Sequence, residues 1–332
     1  MRALHESLKR HSVVAAFGAA LAASVACSGA AKRDAAATIS SDPADATTTA
    51  VAFREADWRP KREADIPNDS MGASIKRGLY LLRFTPESLP AYATGALRCT
   101  SCHQDDGVKL SAAPLSGSHA RFPKYMPRSG TVIALADRVN YCFTRSLAGI
   151  AIPVDSREMT DILAYLAFIS KDVPVGTKIT GADGLLAMSD TLAGDVTRGE
   201  ALYSAKTCVT CHLPTGEGLG PIPALWGARS YSVGASMTRL ERAASFIKHN
   251  MPLTAPGSLT AQEAFDLAAY INSQVRPDSP GKGYDWPLGG APADVPYDTK
   301  GHKAFNPPPL IKRAYAPGAM VPNPPVISQR KR

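Results

Sequence analysis

Apolar residues recur at helical spacing in several stretches of the chain, and the first stretch lies near its middle. It is carried by Leu135, Val139, Phe143 and Leu147. Their four-residue interval predicts a helix over 135–147, and Gly149 just beyond it is a residue type that commonly ends helices. The same periodicity predicts two amphipathic helices over 159–170 and 261–274, each containing an Ala-Tyr pair between apolar residues.

The N-terminus combines basic residues with an apolar run over 13–25 that is too short to span a bilayer as a mature helix. This pattern predicts a signal peptide over 1–27 and export to the periplasm. A small residue stands directly before Cys27, as in a bacterial lipoprotein cleavage box, so Cys27 is a candidate lipid anchor to a membrane. The alternative is a plain signal peptide with Cys27 incidental. The Ala/Thr/Ser/Asp-rich segment 28–56 is predicted to be a flexible tether.

Two short cysteine strings of the form C-x-x-C-H lie 109 residues apart. They are Cys99, Cys102 and His103, and Cys208, Cys211 and His212. In such a string two thiols bond the vinyl groups of one haem and the adjacent imidazole binds its iron. A single string is also compatible with a dithiol redox pair or half a zinc site, but two in an exported chain favour two covalently bound haem c groups.

The surroundings of the two strings repeat. Upstream, an Arg-Gly pair within 76–80 matches one within 197–203, and downstream 113–117 matches 223–227. First helix, haem string, loop and amphipathic last helix follow one another in the order of a cytochrome c domain.

The repeat predicts an all-α fold of two tandem cytochrome c domains with long irregular loops. Their predicted limits are 57–174 and 192–276, joined by a linker over 175–191. Residues 277–332 are rich in proline and lack periodicity, so they are expected to form a C-terminal tail that wraps the surface or stays mobile.

Met251 is the candidate distal ligand of the second haem. It stands 39 residues after His212 and before a proline in the loop that precedes the last helix. Met/His ligation is typical of electron-transfer cytochromes c. The alternative is that Met251 only packs in the core. Lys248 and His249 are rival ligands for the same iron.

Cys142 is reached by shifting Met251 back by the repeat of 109 residues. The cysteine outside the haem strings thus occupies the position of a distal ligand for the first haem, where a thiolate lowers the potential and offers a sulfur nucleophile. The alternative is a small buried core residue. His119 and Met126 are rivals for this iron but lie out of register.

The predicted helix places Arg138 and Ser146 one turn before and after Cys142, so the three side chains share a face. Arg128 lies in the loop just upstream. A cysteine flanked by guanidinium and hydroxyl groups is a site for a small anion. The alternative for both arginines is pairing with haem propionates. Arg145 is expected to point to solvent.

The formal net charge is +8, from 37 Lys and Arg against 29 Asp and Glu. A moderate basic excess without Lys/Arg runs favours small anions or an acidic partner protein. No basic stripe interleaved with aromatic residues is present in the sequence, so nucleic acid is not expected as a partner.

From residue 58 to about 277 the chain resembles the dihaem thiosulfate dehydrogenases, also called tetrathionate synthases. The likeness is carried by Pro127-Arg128 and by the stretches 137–146 (DRVNYCFTRS), 172–176 (DVPVG), 246–252 (FIKHNMP) and 268–273 (AAYINS). The segment around Cys142 is specific, whereas the haem strings and the final helix are generic to cytochromes c.

The resemblance implies a periplasmic enzyme that joins two thiosulfates into tetrathionate, reversibly in some members, and passes electrons to a c-type cytochrome or another small carrier. It further implies roles for seven residues. His103 and Cys142 bind the catalytic iron, Arg128, Arg138 and Ser146 hold substrate, and His212 and Met251 serve the electron-exit haem.

The chain departs from the family at 147–150, which reads Leu-Ala-Gly-Ile where an Asn-Gly-Lys type of sequence is typical. One expected cation is therefore missing near Ile150. Two other functions are compatible with the residues: a dihaem electron carrier without catalysis, in which Cys142 tunes potential, and a sulfur-carrier cytochrome within a sulfur-oxidation complex.

Overall fold

The structure is a computed structural model, and it describes residues 53–181, 184–305 and 307–311. The predicted leader, Cys27 and the tether up to residue 52 lie outside the described residues. No helix within the described ranges has both the length and the apolar character needed to cross a membrane.

Helices dominate the described part of the chain. Those of the first half are α1 (Ser70–Arg83), α2 (Thr85–Ser88), α3 (Gln104–Gly107), α4 (Ser118–Arg121), α5 (Leu135–Tyr141) and α6 (Arg157–Ile169). Those of the second half are α7 (Val196–Ala205), α8 (Cys208–His212), α9 (Leu240–Asn250) and α10 (Ala261–Ser273). Strands β1 (Lys124–Met126) and β2 (Thr131–Ile133) pair antiparallel, and β3 (Arg276–Pro277) pairs parallel with β4 (Leu310–Ile311).

Four of the five longer helices begin at residues that satisfy free backbone N–H groups, and α9, which follows Arg239, is the exception. The carboxylate of Asp69 accepts from the first turn of α1, and the hydroxyl of Ser156 does so at α6. Asp195 caps α7 in the same way. At α10, Thr260 and Glu263 bond each other's backbone N–H reciprocally, which secures the start of the helix.

In each half the first and last helices cross at a glycine. A Cβ on Gly78 of α1 would lie 2.1 Å from the carbonyl oxygen of Asp161 on α6. A Cβ on Gly199 of α7 would lie 2.0 Å from the carbonyl oxygen of Asp266 on α10. Only a residue without a side chain lets the backbones approach this closely.

The arginine before each glycine locks the crossing. The guanidinium of Arg77 donates two hydrogen bonds to Asp161, at 2.8 and 3.0 Å. Arg198 donates two to Asp266, at 2.8 and 2.9 Å. The repeated Arg-Gly pair of the sequence therefore corresponds to a repeated helix crossing.

The predicted helix over 135–147 is partly wrong. The α-helical part ends at Tyr141, and Cys142–Ser146 forms a wider π turn in which the N–H of Leu147 donates to the carbonyl of Cys142 at 2.8 Å. The left-handed residue after the turn is Ala148, with φ of 50°. Gly149 instead allows close approach, because a Cβ there would lie 1.8 Å from the carbonyl oxygen of Tyr92.

The described part of the tail packs against the rest of the protein. Trp286, Val295 and Tyr297 are buried together with Val233 in a cluster of their own. The pairing of β3 with β4 brings Leu310 back beside Arg276. The tail thereby contributes buried residues beside the loop that connects α8 and α9.

Candidate functional site

The first haem string and the helix of Cys142 meet at one pocket. It is lined by the reactive side chains of Cys99, Cys102, His103, Cys142 and Ser146. Its apolar walls are Leu82, Leu97, Leu115, Val139, Phe143, Leu147, Ile162 and Leu166. Arg98 also lines the pocket. Cys99 and Cys142, which are 43 positions apart in sequence, thus face one apolar space.

Both histidines of the haem strings are oriented by a carbonyl group. Nδ1 of His103 lies 2.5 Å from the carbonyl oxygen of Ala113, and Nδ1 of His212 lies 3.0 Å from that of Pro223. Nδ1 must carry the proton in each contact, which leaves Nε2 as the nitrogen available to a metal.

Cys142 lies where α5 passes into the π turn. Nη1 of Arg138, one turn earlier, donates to its sulfur at 3.4 Å. Burial alone would raise the pKa of Cys142, but the charge of Arg138 and hydrogen bonds from His103 and Arg138 outweigh it and lower the pKa to about 6. Burial raises the pKa of Cys99 and of Cys102 to about 12. Of the three sulfurs in the pocket, Cys142 is the one favoured as a thiolate.

The pocket fits a covalently attached haem. Two thiols and an imidazole of one string stand at its wall, a third sulfur faces the imidazole closely enough for a hydrogen bond, and the remaining lining is almost wholly apolar. A porphyrin needs apolar walls and one ligand on each side of its iron. His103 and Cys142 are placed to provide them.

The second half offers a matching set of residues. Cys208 and Met251 both pack against its hydrophobic core, which includes Tyr203, Trp226 and Phe265. Met251 directly follows the end of α9. The residues also fit a haem, since they combine a string, an oriented histidine and a thioether beside an apolar core.

The rivals of Met251 make other contacts. Nζ of Lys248 donates to the carbonyl oxygens of Gly257, at 2.9 Å, and of Leu259. Nδ1 of His249 lies 2.8 Å from the carbonyl oxygen of Ser245, one turn earlier on α9. These contacts favour Met251 as the ligand, which stays a prediction.

Arg145 was expected to point to solvent, and that expectation is wrong. It is 4% exposed, and its Nη2 donates to Oδ1 of Asp285 at 2.5 Å. The guanidinium also lies 4.1 Å above the ring of Tyr141. The π turn rotates the side chain inward, because a π turn holds more residues than an α-helical turn.

Arg128 meets the same carboxylate. Its Nε donates to Oδ2 of Asp285 at 2.9 Å, and its Nη2 to the hydroxyl of Tyr297 at 2.5 Å. Nη2 also lies 2.6 Å from the carbonyl oxygen of Gly234. We call Arg128, Arg145, Asp285 and Tyr297 the arginine cluster. Its two guanidiniums against one carboxylate leave a net positive charge, and Arg145 directly precedes Ser146, which lines the pocket.

Asp285 and Tyr297 were missed at the sequence level. Both belong to the tail, where periodicity gives no signal, and Asp285 lies 140 positions from Arg145. Burial opposes ionisation of Asp285, but the charges of Arg128 and Arg145 hold its pKa below the usual range. A buried aspartate after a Lys-Gly-Tyr turn carries no sequence pattern that points to a partner.

The two halves are joined close to their haem-binding residues. The hydroxyl of Ser111 donates to Oδ1 of Asn250 at 2.8 Å, and Nδ2 of Asn250 donates to the carbonyl of Ser111 at 2.9 Å. Ser111 lies two positions before Ala113, and Asn250 directly precedes Met251. The predicted ligand loops of the two haems are therefore tied to each other.

Two protein families match the chain. Residues 91–175 match the SoxA/TsdA cytochrome c domain, and residues 194–271 match the family described as cytochrome c oxidase, cbb3-type, subunit III. These matches confirm the predicted all-α fold of two cytochrome c domains, a domain type that carries covalently bound haem c.

Individual relatives extend the likeness to about two thirds or more of the chain. The thiosulfate dehydrogenase of Psychrobacter arcticus is 38% identical over 261 residues, covering 76% of this chain and 79% of the relative. That of Allochromatium vinosum is 40% identical over 222 residues, covering 64% and 82%. The solved thiosulfate dehydrogenase TsdBA of Marichromatium purpuratum superposes with a TM-score of 0.61 at 31% identity. It covers 66% of this chain, which spans half of that longer chain.

Proposed function

The chain belongs to the thiosulfate dehydrogenase family, and on that basis we propose that it is a dihaem cytochrome c that oxidises thiosulfate to tetrathionate. One observation carries the proposal. Cys142 faces His103 across the pocket of the first haem string, with Arg138 donating to its sulfur. An electron carrier needs no nucleophilic thiolate beside a cation at this place, whereas an enzyme that acts on a sulfur anion does.

Charge neutralisation is the first task of such a site, because two thiosulfate dianions repel each other. Arg138 is half-buried and lies beside Cys142, and Ser146 lines the same pocket. We assign both to substrate binding. Arg128 contributes through the net positive arginine cluster, which draws anions toward the pocket.

The sulfur of Cys142 takes the covalent role. Its thiolate bonds the terminal sulfur of one thiosulfate, and two electrons leave. A second thiosulfate then attacks that terminal sulfur, which releases tetrathionate and restores the thiolate. The sum is two thiosulfates giving one tetrathionate and two electrons. When bound, haem c supplies the one-electron redox centre in each domain that accepts them.

The second domain provides the exit. Cys208, Cys211 and His212 would hold its haem, with Met251 as the distal ligand, and a periplasmic c-type cytochrome or other small carrier would take the electrons. Export by the predicted leader, with Cys27 as a lipid anchor, fits this setting.

The departure at 147–150 bears on substrate affinity. The N–H of Ile150 donates to the carbonyl of Tyr92 at 3.0 Å, so the backbone is fixed where the family typically has a lysine. The arginine cluster supplies positive charge close by. We therefore retain thiosulfate as the substrate.

The test uses the purified dihaem protein, mixed without oxygen with thiosulfate and an electron acceptor. Acceptor reduction and tetrathionate are followed together, and we expect two acceptor electrons for each tetrathionate formed. Absence of turnover in both directions, with both haems intact, would contradict the proposal and indicate an electron carrier.

A further inference from the structure

The turn that carries Cys142 presents two sets of side chains. Cys142 and Ser146 line the pocket, and Arg138 donates to the sulfur from one turn earlier. Tyr141 and Arg145, which directly precede Cys142 and Ser146, are not among the residues that line the pocket. They are 7% and 4% exposed, so they are buried against another part of the protein. The two pocket residues thus each follow a residue that is held elsewhere.

Arg145 is held at its backbone and at its side chain by the second half of the chain. Its Nη2 donates to Oδ1 of Asp285 at 2.5 Å, and its carbonyl oxygen accepts from the hydroxyl of Ser232 at 2.5 Å. The guanidinium also lies 4.1 Å above the ring of Tyr141. A buried cation is retained only with a charged or hydrogen-bonded partner, and Arg145 has both. These contacts fix the residue three positions after the sulfur.

The π turn over 142–146 depends on contacts of this kind. Its sequence, Cys-Phe-Thr-Arg-Ser, contains neither proline nor glycine, so no residue in it prevents an α-helix from continuing. A π turn is rare and is often found at functional sites. Its form must therefore be set by partners outside the turn. Arg145 is the only charged residue in this sequence, and Asp285 is its partner in the tail.

We propose that Arg145 is a positioning residue for Cys142, and that by bonding Asp285 and Ser232 it holds the π turn in the form that presents the sulfur to the pocket. The inference rests on the role of Cys142 in the proposed function, and it assigns Arg145 no contact with substrate. An α-helical continuation would rotate the residues after Cys142 about the helix axis, which would carry Arg145 away from Asp285. Loss of the anchor should therefore change how the sulfur meets the first haem.

The test compares two arginines that pair with carboxylates of the tail. Arg145→Met removes the cation from the π turn, whereas Arg239→Met removes one that pairs with Asp294 at 2.7 Å ahead of α9. The oxidised dihaem proteins are compared without thiosulfate by electron paramagnetic resonance, in which a thiolate-ligated haem has its own low-spin signal. We expect Arg145→Met to lose most of this signal, with a rise in the potential of the first haem, and Arg239→Met to retain it.

Two results would overturn the proposal. The full parental signal in Arg145→Met, even in a protein that unfolds more easily, would assign Arg145 to stability alone. An equal loss in Arg239→Met would show that any ion pair of the tail has the same effect. If Arg145→Met yields no dihaem protein, Asp285→Asn decides the matter. It keeps Arg145 over Tyr141 but removes the charge that anchors it, so we expect a partial loss, and an unchanged signal would overturn the proposal.

The spectra separate this role from thiosulfate oxidation. A parent protein with the thiolate-ligated signal but without turnover would contradict the proposed activity, and the comparison of Arg145→Met with Arg239→Met would still decide the role of Arg145. A parent protein without that signal would overturn the present inference, because Cys142 would then not bind the first iron.

Discussion

At the scale of residues, Arg138 and His103 together distinguish the sulfur of Cys142 from the two other sulfurs of the first pocket. Cys99 and Cys102 are buried thiols with raised pKa values, whereas Cys142 has Arg138 at 3.4 Å and a lowered one. The i to i+4 spacing on α5 produces this contact, so the reactivity of the cysteine depends on a neighbour one turn away.

Arg138→Met removes the cation and keeps a side chain of similar length. We expect kcat/KM for thiosulfate to fall about 100-fold, as for loss of one charge-stabilising donor in an active site. The kcat/KM of Arg138→Lys, which retains the charge, should fall less. Steady-state rates over a range of thiosulfate concentrations measure the effect. Equal losses in the two variants would indicate a geometric rather than a charge effect.

Cys142→Ala separates ligation from catalysis. Covalent attachment uses Cys99 and Cys102, so both haems should be retained, as measured by mass and by the reduced spectrum. Turnover should be lost, and the spectrum of the first haem should change. Near-normal activity in this variant would contradict the covalent role of the sulfur.

Asp285→Asn tests the arginine cluster through stability. The side chain is 2% exposed and faces two guanidiniums, and breaking a buried pair costs about 3–5 kcal/mol. The pKa of Asp285 is lower in the folded than in the unfolded protein. The contribution of its ion pairs to the free energy of unfolding is therefore complete above about pH 4, and it is lost as the pH falls through the pKa of the folded state. Urea unfolding at several pH values should show the parent and the variant converging in acid.

The matched control is Asp298→Asn, which alters an aspartate of the same tail. Its partner Lys303 lies 2.9 Å away, and both side chains are largely exposed. The loss of free energy should be much smaller than that of Asp285→Asn, because solvent screens an exposed ion pair. A loss as large as that of Asp285→Asn would show that any charge change in the tail destabilises the fold.

At the scale of elements, the crossing of the first and last helices is the unit that occurs twice. Gly78 and Gly199 permit contact between backbones, and Arg77 and Arg198 hold the carboxylates opposite. The first helix of each crossing, α1 or α7, also contacts the haem string of its domain. Displacing either helix therefore disturbs the haem pocket as well as the core.

Gly199→Ala should destabilise the second domain by about 1–3 kcal/mol, because the added Cβ overlaps the carbonyl oxygen of Asp266. Gly283→Ala is the control, since a Cβ there meets nothing within 4 Å. Thermal unfolding of the oxidised protein, followed by circular dichroism, compares the two. Equal melting temperatures would mean that the helices separate without cost.

Much of the arrangement of elements was predictable, and the exceptions have physical causes. Periodicity and the repeat predicted the helices and the two domains, since each copy reuses the same contacts. The shared face of Arg138 and Cys142 follows from α-helical spacing. The inward turn of Arg145 does not, because hydropathy says nothing about a π turn. The role of Asp285 could not be predicted, because its partners Arg128 and Arg145 lie far from it in sequence.

At the scale of the whole molecule, Ser111 and Asn250 join the two domains beside their ligand loops. Ser111→Ala removes one of the two hydrogen bonds, so we expect the free energy of unfolding to fall by about 1 kcal/mol. Ser204→Ala, on the exposed side of α7, is the control. Denaturant unfolding measures both, and equal values would indicate that the domains do not stabilise each other at this point.

The remoteness of Asp285 has a consequence for biogenesis. The chain is made from its N-terminus, and domains generally fold in that order. Both haem strings precede the tail, so the haems are attachable before the carboxylate that holds Arg128 and Arg145 has arrived. A prematurely terminated chain would be coloured and redox-active yet lack an ordered anion site. We therefore expect the arginine cluster to become ordered only after the last segment has been made, later than the parts of the chain that carry electrons.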